Sequence, residues 1–342
     1  MLNILSTFVL LTQLVSSISI PPRDTNVSTG SGTWKSFAPI PINPRQEHGA
    51  VKFDNDTLYI IGGIIASPFP TVTTVQKYTI STDTWTTVAD LPIPLNHPNS
   101  AVVNGKIYVL GGLSTIDNPD LPFWNATGDC FEYDPTPNTW TTIAQLPEGR
   151  QIGSAAVGVK GNTIYLAGGI VNTNLTDDEE GTVSVFTSYN VKTKKFKFLA
   201  DLPEPRDHAG VGLIKGRLYV LGGRAYGHNN TKDTVFAYDI KNNSWTTGLA
   251  KMPTARGSLS SGVIGTKIFT IGGEGDPNTT SGVYPQVQAY DTGKDIWTLY
   301  PDMDVPRHGT AGVVFGNKIY IPGGGLTTGG DPTNYTSYFQ PS

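Results

Sequence analysis

The feature that most limits this chain is a glycine pair that keeps returning. An apolar run ending in Gly-Gly occurs at "LYIIGG" (58–63), "IYVLGG" (107–112), "IYLAGG" (164–169), "LYVLGG" (218–223), "IFTIGG" (268–273) and "IYIPGG" (319–324), at a spacing of about fifty residues. Downstream comes a Tyr that often precedes Asp, as at Tyr78, Tyr133-Asp134, Tyr189, Tyr238-Asp239 and Tyr290-Asp291. Trp85, Trp140, Trp245 and Trp297 follow, with Phe196 taking the place in the third copy, and an "LP" turn or a close variant restarts the cycle. A period of this length means one supersecondary unit stacked on its own copies, since a lone unit cannot bury both of its faces.

Each unit reads as four short strands. "HAGVGLI" and "RLYVLGG" flank the tight turn Lys215-Gly216, and comparable turns hold Asn104-Gly105, Gly161-Asn162 and Gly316-Asn317. "TVFAYDI" (234–240) and "SWTTGLA" (244–250) form a second hairpin across Lys241-Asn242-Asn243. The Gly-Gly lets backbone approach closely at a strand end, and the large Trp fills space between twisted sheets. Composition agrees, because 39 Gly and 25 Pro suit a chain of many turns.

The doublet, the spaced Tyr and the Trp together resemble the kelch repeat, and the resemblance runs from about Trp34 to Phe339. It implies four-stranded propeller blades, so the expected fold is all-β, a six-bladed kelch β-propeller. "GTWKSFAPI" (32–40) is a fourth strand with no three before it, whereas the last copy has Gly323-Gly324 and the Tyr338 strand but no Trp strand. The N-terminal strand is therefore expected to join the C-terminal blade, closing the ring and removing both open edges.

The ends suggest a compartment. The apolar run Ile4–Val15 in "MLNILSTFVLLTQLVSS" is too short to span a bilayer and suits a signal peptide cleaved near Ser17 or Ser19. The expected organisation is a signal peptide over 1–19, a short linker over 20–31 and the propeller over 32–342. Sequons at Asn26, Asn55, Asn125, Asn174, Asn229, Asn242, Asn278 and Asn334 favour a secreted, extracellular glycoprotein. Cys130 is the sole cysteine, so no internal disulfide is available. A net charge of −4 offers no general attraction to nucleic acid or an anionic membrane. A monomer without stable membrane insertion is expected.

With strands named a to d from inner to outer, the b-to-c and d-to-a connections emerge on one face. The b-to-c connections, such as "LSTIDNPDLPFWNATGD" and "IVNTNLTDDEEGT", are long and dissimilar, so binding is expected on that face. Arg45, Arg150, Arg206, Arg256 and Arg307 precede strand a in five units, while the second has Leu95-Asn96-His97. His48, His208 and His308 lie close by, along with Glu47 and Asp207. Converging arginines would suit a carboxylate or another anion. Equally, an Arg repeated at one position can bind carbonyls of a neighbouring blade, and both readings stand at this point.

Kelch propellers include protein-binding modules, copper oxidases, sialic acid mutarotases and specifier proteins. The resemblance to copper oxidases implies a Cys–Tyr cross-link and a Tyr-His pair, and here no Tyr-His dipeptide exists. The specifier pattern of iron ligands at four-residue steps after Gly-Gly is met at Glu274 but broken at Asn278 and Gly282. No cofactor and no metal is therefore expected. The sequence points to a binding module for a protein, glycan or small anionic ligand. The alternative is a non-redox isomerase, mutarotase or cyclase using Glu274, His208 or His308 at the channel mouth.

Overall fold

The computed structural model describes residues 27–115, 123–174 and 179–342, so the expected signal peptide and Asn26 lie outside the described residues. Among the described residues every regular element is a strand, apart from turns and isolated bridges. The chain opens with β1 (Ser28–Thr29) and β2 (Gly32–Ser36). A first meander follows, β3 (Gly49–Lys52), β4 (Thr57–Ile61), β5 (Val75–Thr79) and β6 (Thr84–Thr87). The second is β7 (Ser100–Val103), β8 (Lys106–Thr115), β9 (Trp124–Asp134) and β10 (Thr139–Thr142). The third is β11 (Ala156–Lys160), β12 (Thr163–Asn174), β13 (Glu179–Asn190) and β14 (Lys195–Phe198). The fourth is β15 (Gly210–Ile214), β16 (Arg217–Leu221), β17 (Val235–Asp239) and β18 (Ser244–Thr246). The fifth is β19 (Ser260–Ile264), β20 (Lys267–Ile271), β21 (Val287–Asp291) and β22 (Ile296–Tyr300). The last stretch holds β23 (Val313–Phe315), β24 (Lys318–Pro322), β25 (Gly325–Thr327), β26 (Gly330–Pro332) and β27 (Thr336–Pro341).

These strands pair into a β-propeller arrangement. Four sheets of four or five strands stand alone, while β7 to β14 form one continuous eight-stranded sheet. The merger occurs because β8 and β12 run on beyond their glycine pairs, matched by long β9 and β13, and Asn172 and Thr173 then pair with Asn125 and Trp124. Two of the connections expected to be loops are thus partly extended sheet. β2 pairs antiparallel with β27, from Gly32↔Pro341 to Ser36↔Ser337. The end of the expected linker is also strand, since β1 lies parallel to β22 through Ser28↔Thr298 and Thr29↔Leu299.

The b strands are apolar without alternation, as in Leu58, Tyr59, Ile60 and Ile61, because a sheet lies against each of their faces. One cluster joins Tyr59 and Ile61 to Ile107, Phe131 and Tyr133 of the next meander. Another joins Leu58 and Ile60 to Val313 and Tyr320. Cys130 is a small core residue whose thiol burial pushes up to about 12.

Two repeated devices stitch neighbouring meanders. The first uses the glycine pair. Gly62 has φ 60°, and a side chain there would meet the Leu95 carbonyl at 2.2 Å. That closeness lets the Gly63 N–H donate to Leu95 O at 2.8 Å. The same bond runs from Gly112 to Ile152, Gly169 to Arg206, Gly223 to Arg256, Gly273 to Arg307 and Gly324 to Arg45. The second device clamps an alanine. Trp245 Nε1 donates to Ala200 O at 2.7 Å, and Ala200 N donates to Asn243 Oδ1 at 3.1 Å. Asn243 also accepts from Tyr238 Oη at 2.6 Å and sits at φ 52°, a conformation that Asn tolerates. Trp85 with Asp83, Trp140 with Asn138 and Trp297 with Asp295 repeat the clamp on Ala38, Ala89 and Ala250. In the third meander Lys194 and Phe196 stand at these positions, and neither side chain can serve it.

Candidate functional site

Each segment leading into strand a forms one bridge to the residue just after a glycine pair. The pairs are Gln46↔Ile64, Asn96↔Leu113, Gly153↔Ile170, Asp207↔Arg224, Gly257↔Glu274 and His308↔Gly325. The next residue in each case is Glu47, His97, Ser154, His208, Ser258 or Gly309, all with φ between 49° and 62°. Left-handed backbone at a run of non-glycine residues persists only where the surroundings hold it. Here a circlet of backbone bonds does so. Glu47 N donates to Gly309 O at 2.6 Å, His97 N to Glu47 O at 2.8 Å and Ser154 N to His97 O at 3.0 Å. Ser258 N donates to His208 O at 2.9 Å and Gly309 N to Ser258 O at 3.1 Å.

This circlet gathers the chemistry. Glu47 Oε2 lies 3.2 Å from His97 Nε2 and 3.6 Å from His208 Nε2, while Glu47 Oε1 accepts from Ser258 Oγ at 3.0 Å. The Nδ1 of His208 is 2.6 Å from Asp207 Oδ1, and that of His97 is 2.5 Å from Asn96 Oδ1. The His97 and His208 rings meet edge to face at 4.8 Å. Arg224, fully enclosed, binds Glu180 at 2.5 Å, Asp207 at 3.2 Å and Glu274. Glu274 Oε2 also accepts from Gly329 N at 2.9 Å and faces His308 Nδ1 at 3.3 Å.

Burial and charge oppose one another at these groups. Burial raises the Glu274 carboxyl, but His308 and Arg224 outweigh it and bring it down to about 2. For Glu47 burial is likewise overcome by His97, His208 and His308, so its carboxyl falls well below the usual range. Burial alone dominates at His97 and lowers it to about 3. Burial and Arg224 lower His208, yet its bonds to Asp207 and Glu47 win and raise it to about 10. Glu180 is raised by burial despite Arg224.

The group floors a cavity of ≈ 260 Å³ on the loop face, lined by Glu47, His97, Glu180, Arg224, Glu274, Gln46 and the aromatic walls Phe69 and Trp124, among others. Across the circlet a second cavity of ≈ 280 Å³ is lined by His48, Asn99, Ser100, Ser261 and other small residues, together with Glu47, His97 and His208.

The arginines expected at the mouth are elsewhere. Arg45, Arg206, Arg256 and Arg307 are buried within the sheets and bind main chain of their own meander. Arg45 donates to Asn43 O, Gly62 O, Thr74 O, Ile42 O and Gln76 Oε1. Arg206 reaches Gly222 O and Thr234 Oγ1, Arg256 reaches Thr270, and Arg307 reaches Ile321 O and Ser337 Oγ. Burial lowers Arg45 and Arg307 to about 10 and Arg256 to about 9.

Arg150 does not share their position. The Gly153↔Ile170 bridge sets the register so that Ile152 takes the arginine's place, as Leu95 does in the second meander. Arg150 lies instead at the rim, paired with Asp201 at 3.1 Å and over Phe198. His48 faces the other cavity and lies 3.4 Å from Thr310 Oγ1. His208, His308 and Glu274 do converge. Asn278 is exposed and binds Asp276, and Gly282 carries no donor, so the specifier iron set is not formed. Of the sequons, Asn55, Asn229, Asn242, Asn278 and Asn334 are exposed, and Asn125 and Asn174 are half-buried.

Sequence reasoning passed over Arg224, Glu180 and His97 as site residues. A usable signal existed for Arg224. The residue after the glycine pair is Ile64, Leu113, Ile170, Arg224, Glu274 or Gly325, so two charges occupy a position that is otherwise apolar or glycine.

Comparison with known proteins agrees with the geometry. The KLHDC2/KLHL20/DRC7 Kelch-repeats domain matches residues 142–324, and the Kelch motif matches residues 94–147. "Kelch-like protein terF" of Aspergillus terreus is 47% identical over 324 residues, covering 93% of this chain and 70% of that protein. "Kelch-like protein 36" of Rattus norvegicus is 27% identical, covering 70% of this chain and 37% of its own length. Beta-scruin of Limulus polyphemus is 26% identical, covering 82% of this chain and 30% of its own length. Among solved structures, that described as "Structure of YjhT" superposes with a TM-score of 0.71 at 19% identity, covering 89% of this chain and 95% of that one. The fold and the repeated devices define a kelch-type propeller. The chain belongs to the kelch-repeat family.

Proposed function

We propose that this chain is a six-bladed, ring-closed kelch propeller that binds a small organic ligand in the loop-face cavity. The observation that carries the reading is the lining of that cavity, where carboxylates, two histidines and a guanidinium brought from five repeats meet two aromatic walls. Six blades are supported by the two meanders within the eight-stranded sheet. Closure is supported by the β2–β27 pairing and the bond from Gly324 to Arg45 O. Secretion and glycosylation rest on the sequence features alone.

Charge selects the ligand class. Three carboxyl groups, Glu47, Glu180 and Glu274, line the cavity against the single guanidinium of Arg224. An anion expected from the arginine row therefore loses its support. An amine or a neutral, hydrogen-bond-donating molecule with one apolar face fits better. The second reading is a non-redox enzyme, favoured by the buried Asp207–His208 pair, which is built as a general acid–base dyad.

The test is a thermal-shift and calorimetric panel of aromatic amines, neutral sugars and small carboxylates, with wild type beside Trp124→Ala. A ligand at a hundred times its dissociation constant stabilises by about 2.7 kcal/mol. Shifts from amines or neutral ligands that vanish in the folded variant support the cavity. A response confined to carboxylates, or one indifferent to Trp124, overturns it.

A further inference from the structure

We propose that Glu47, His97 and His208 form a site for a divalent first-row transition metal at the centre of the loop face. The inference goes beyond the organic-ligand cavity and stands without it, because metal binding is read with no other ligand present. Three donor atoms, Glu47 Oε2, His97 Nε2 and His208 Nε2, lie within 4.8 Å of one another. The carboxylate oxygen is 3.2 Å and 3.6 Å from the two nitrogens. Donors about 2.1 Å from a tetrahedral metal stand about 3.4 Å apart, so little movement separates this arrangement from a coordinated one.

The orientation of the rings supports the assignment. Each histidine turns Nδ1 to a side-chain oxygen, Asn96 Oδ1 for His97 and Asp207 Oδ1 for His208. A ring whose Nδ1 is held by a side-chain oxygen can offer Nε2 to a metal, which is how outer partners orient histidines on metals. At His208 the metal takes the place of the proton shared with Glu47. Both Nε2 atoms face the same carboxylate oxygen. Both partners are the residues immediately before the histidines, so the local chain sets ring orientation along with ring position.

A second observation comes from His308, which is 1% exposed. Its Nε2 donates to Thr327 O at 2.8 Å, leaving Nδ1 without a hydrogen-bond partner. That Nδ1 faces Glu47 Oε1 at 3.7 Å and Glu274 Oε2 at 3.3 Å. Glu47, Glu274 and His308 thus form a second group of donor atoms within 4.8 Å of one another, beside the first and sharing Glu47 with it. Glu47, Glu180, Asp207 and Glu274 stand against one guanidinium, that of Arg224, so the acidic groups outnumber the fixed cation that an added divalent ion would supplement. Arg224 is already held by Glu180, Asp207 and Glu274, so a metal displaces only its 3.4 Å approach to His208 Nε2. Glu47 and His97 line both cavities and His208 lines one, which gives an ion a route in and leaves room for a further ligand. Imidazole and carboxylate together select metals of the zinc, cobalt and iron type over calcium or magnesium.

The experiment is equilibrium dialysis of the chelator-treated full chain against Zn²⁺ and Co²⁺, read by elemental analysis and by the visible spectrum of bound cobalt. One ion per chain is expected. Glu47→Gln and His97→Gln, each checked for folding by near-UV circular dichroism, should weaken binding at least a hundredfold. Asn96→Ala should weaken it about tenfold, and the exposed Glu148→Gln should not change it. Long-range nitrogen NMR of the wild type needs no variant, and Zn²⁺ should shift the Nε2 signals of His97 and His208. Failure of the wild type to bind either ion overturns the proposal. So does binding that survives Glu47→Gln and His97→Gln, or a Zn²⁺ titration that leaves both ring signals unmoved.

Discussion

Two positions only two residues apart behave in opposite ways around this propeller. At the first, Arg45, Arg206, Arg256 and Arg307 repeat one side chain and bury it inside the sheets. At the second, Glu47, His97, Ser154, His208, Ser258 and Gly309 repeat one backbone conformation while the side chain varies among carboxylate, imidazole, hydroxyl and none. Where the side chain is constant, it lies buried and bonds carbonyls of its own meander, Arg45 and Arg206 at the first glycine of the pair and Arg256 and Arg307 two residues before it. Where only the backbone is constant, the scaffold presents different groups to one central spot. Repetition of a residue therefore marks structure here, and departure from repetition marks the candidate site.

The comparison breaks most sharply at Arg45, which makes five hydrogen bonds in a buried setting. Arg45→Met should cost about 3 kcal/mol or more in urea unfolding, since Gly62 O, Thr74 O and Gln76 Oε1 lose their donor at about 1–3 kcal/mol each. Arg256 bonds Thr270 while its Nε and Nη1 have no partner, so Arg256→Met should cost less than about 1 kcal/mol. Equal costs would mean that the four arginines are not stitching by these bonds.

The alanine clamp gives the next effect. Asn243→Ala removes the acceptor for Tyr238 Oη and Ala200 N, at about 1–3 kcal/mol. In the third meander, where Lys194 holds φ 55°, Lys194→Asn should stabilise by up to about 1 kcal/mol by supplying that acceptor. A loss of stability there would show that the clamp depends on its Trp.

A smaller effect is expected in the pH profile. Burial and Arg45 lower His48 to about 3, against about 6.5 unfolded. The unfolded chain then binds a proton that the folded chain refuses, so stability falls as pH drops below about 6.5. Between pH 6.5 and 4.5, above most carboxylate titration, His48→Asn should flatten that slope by up to about one proton. The smallest effect belongs to the circlet itself. Ser258→Ala loses the bond to Glu47 Oε1 but keeps the backbone bond to His208, and should cost less than about 1 kcal/mol. A larger loss would make Ser258 part of the stitching.

Much of this was legible before any coordinates. The glycine pairs, the Tyr and Trp spacing and the tight turns are local signals, and they placed the strands and the face that carries the loops. The convergence of His208, His308 and Glu274 was within reach because each sits beside a repeated landmark. The arginine row was legible as a pattern but not as a role. A guanidinium on a long stem reaches either a channel or a carbonyl, and chain order does not say which. Arg150 misled because a two-residue shift of register puts Ile152 in its place.

The sequence by itself determined the repeat, the all-β architecture and the kelch family, since each follows from residues close together in the chain. Tertiary structure decided which charges meet. Glu47, His97, Glu180, Arg224 and Glu274 come from separate repeats, up to 227 residues apart in numbering from Glu47 to Glu274. Only the stacking of the sheets brings them within hydrogen-bonding reach, and only that burial fixes how strongly each holds its proton.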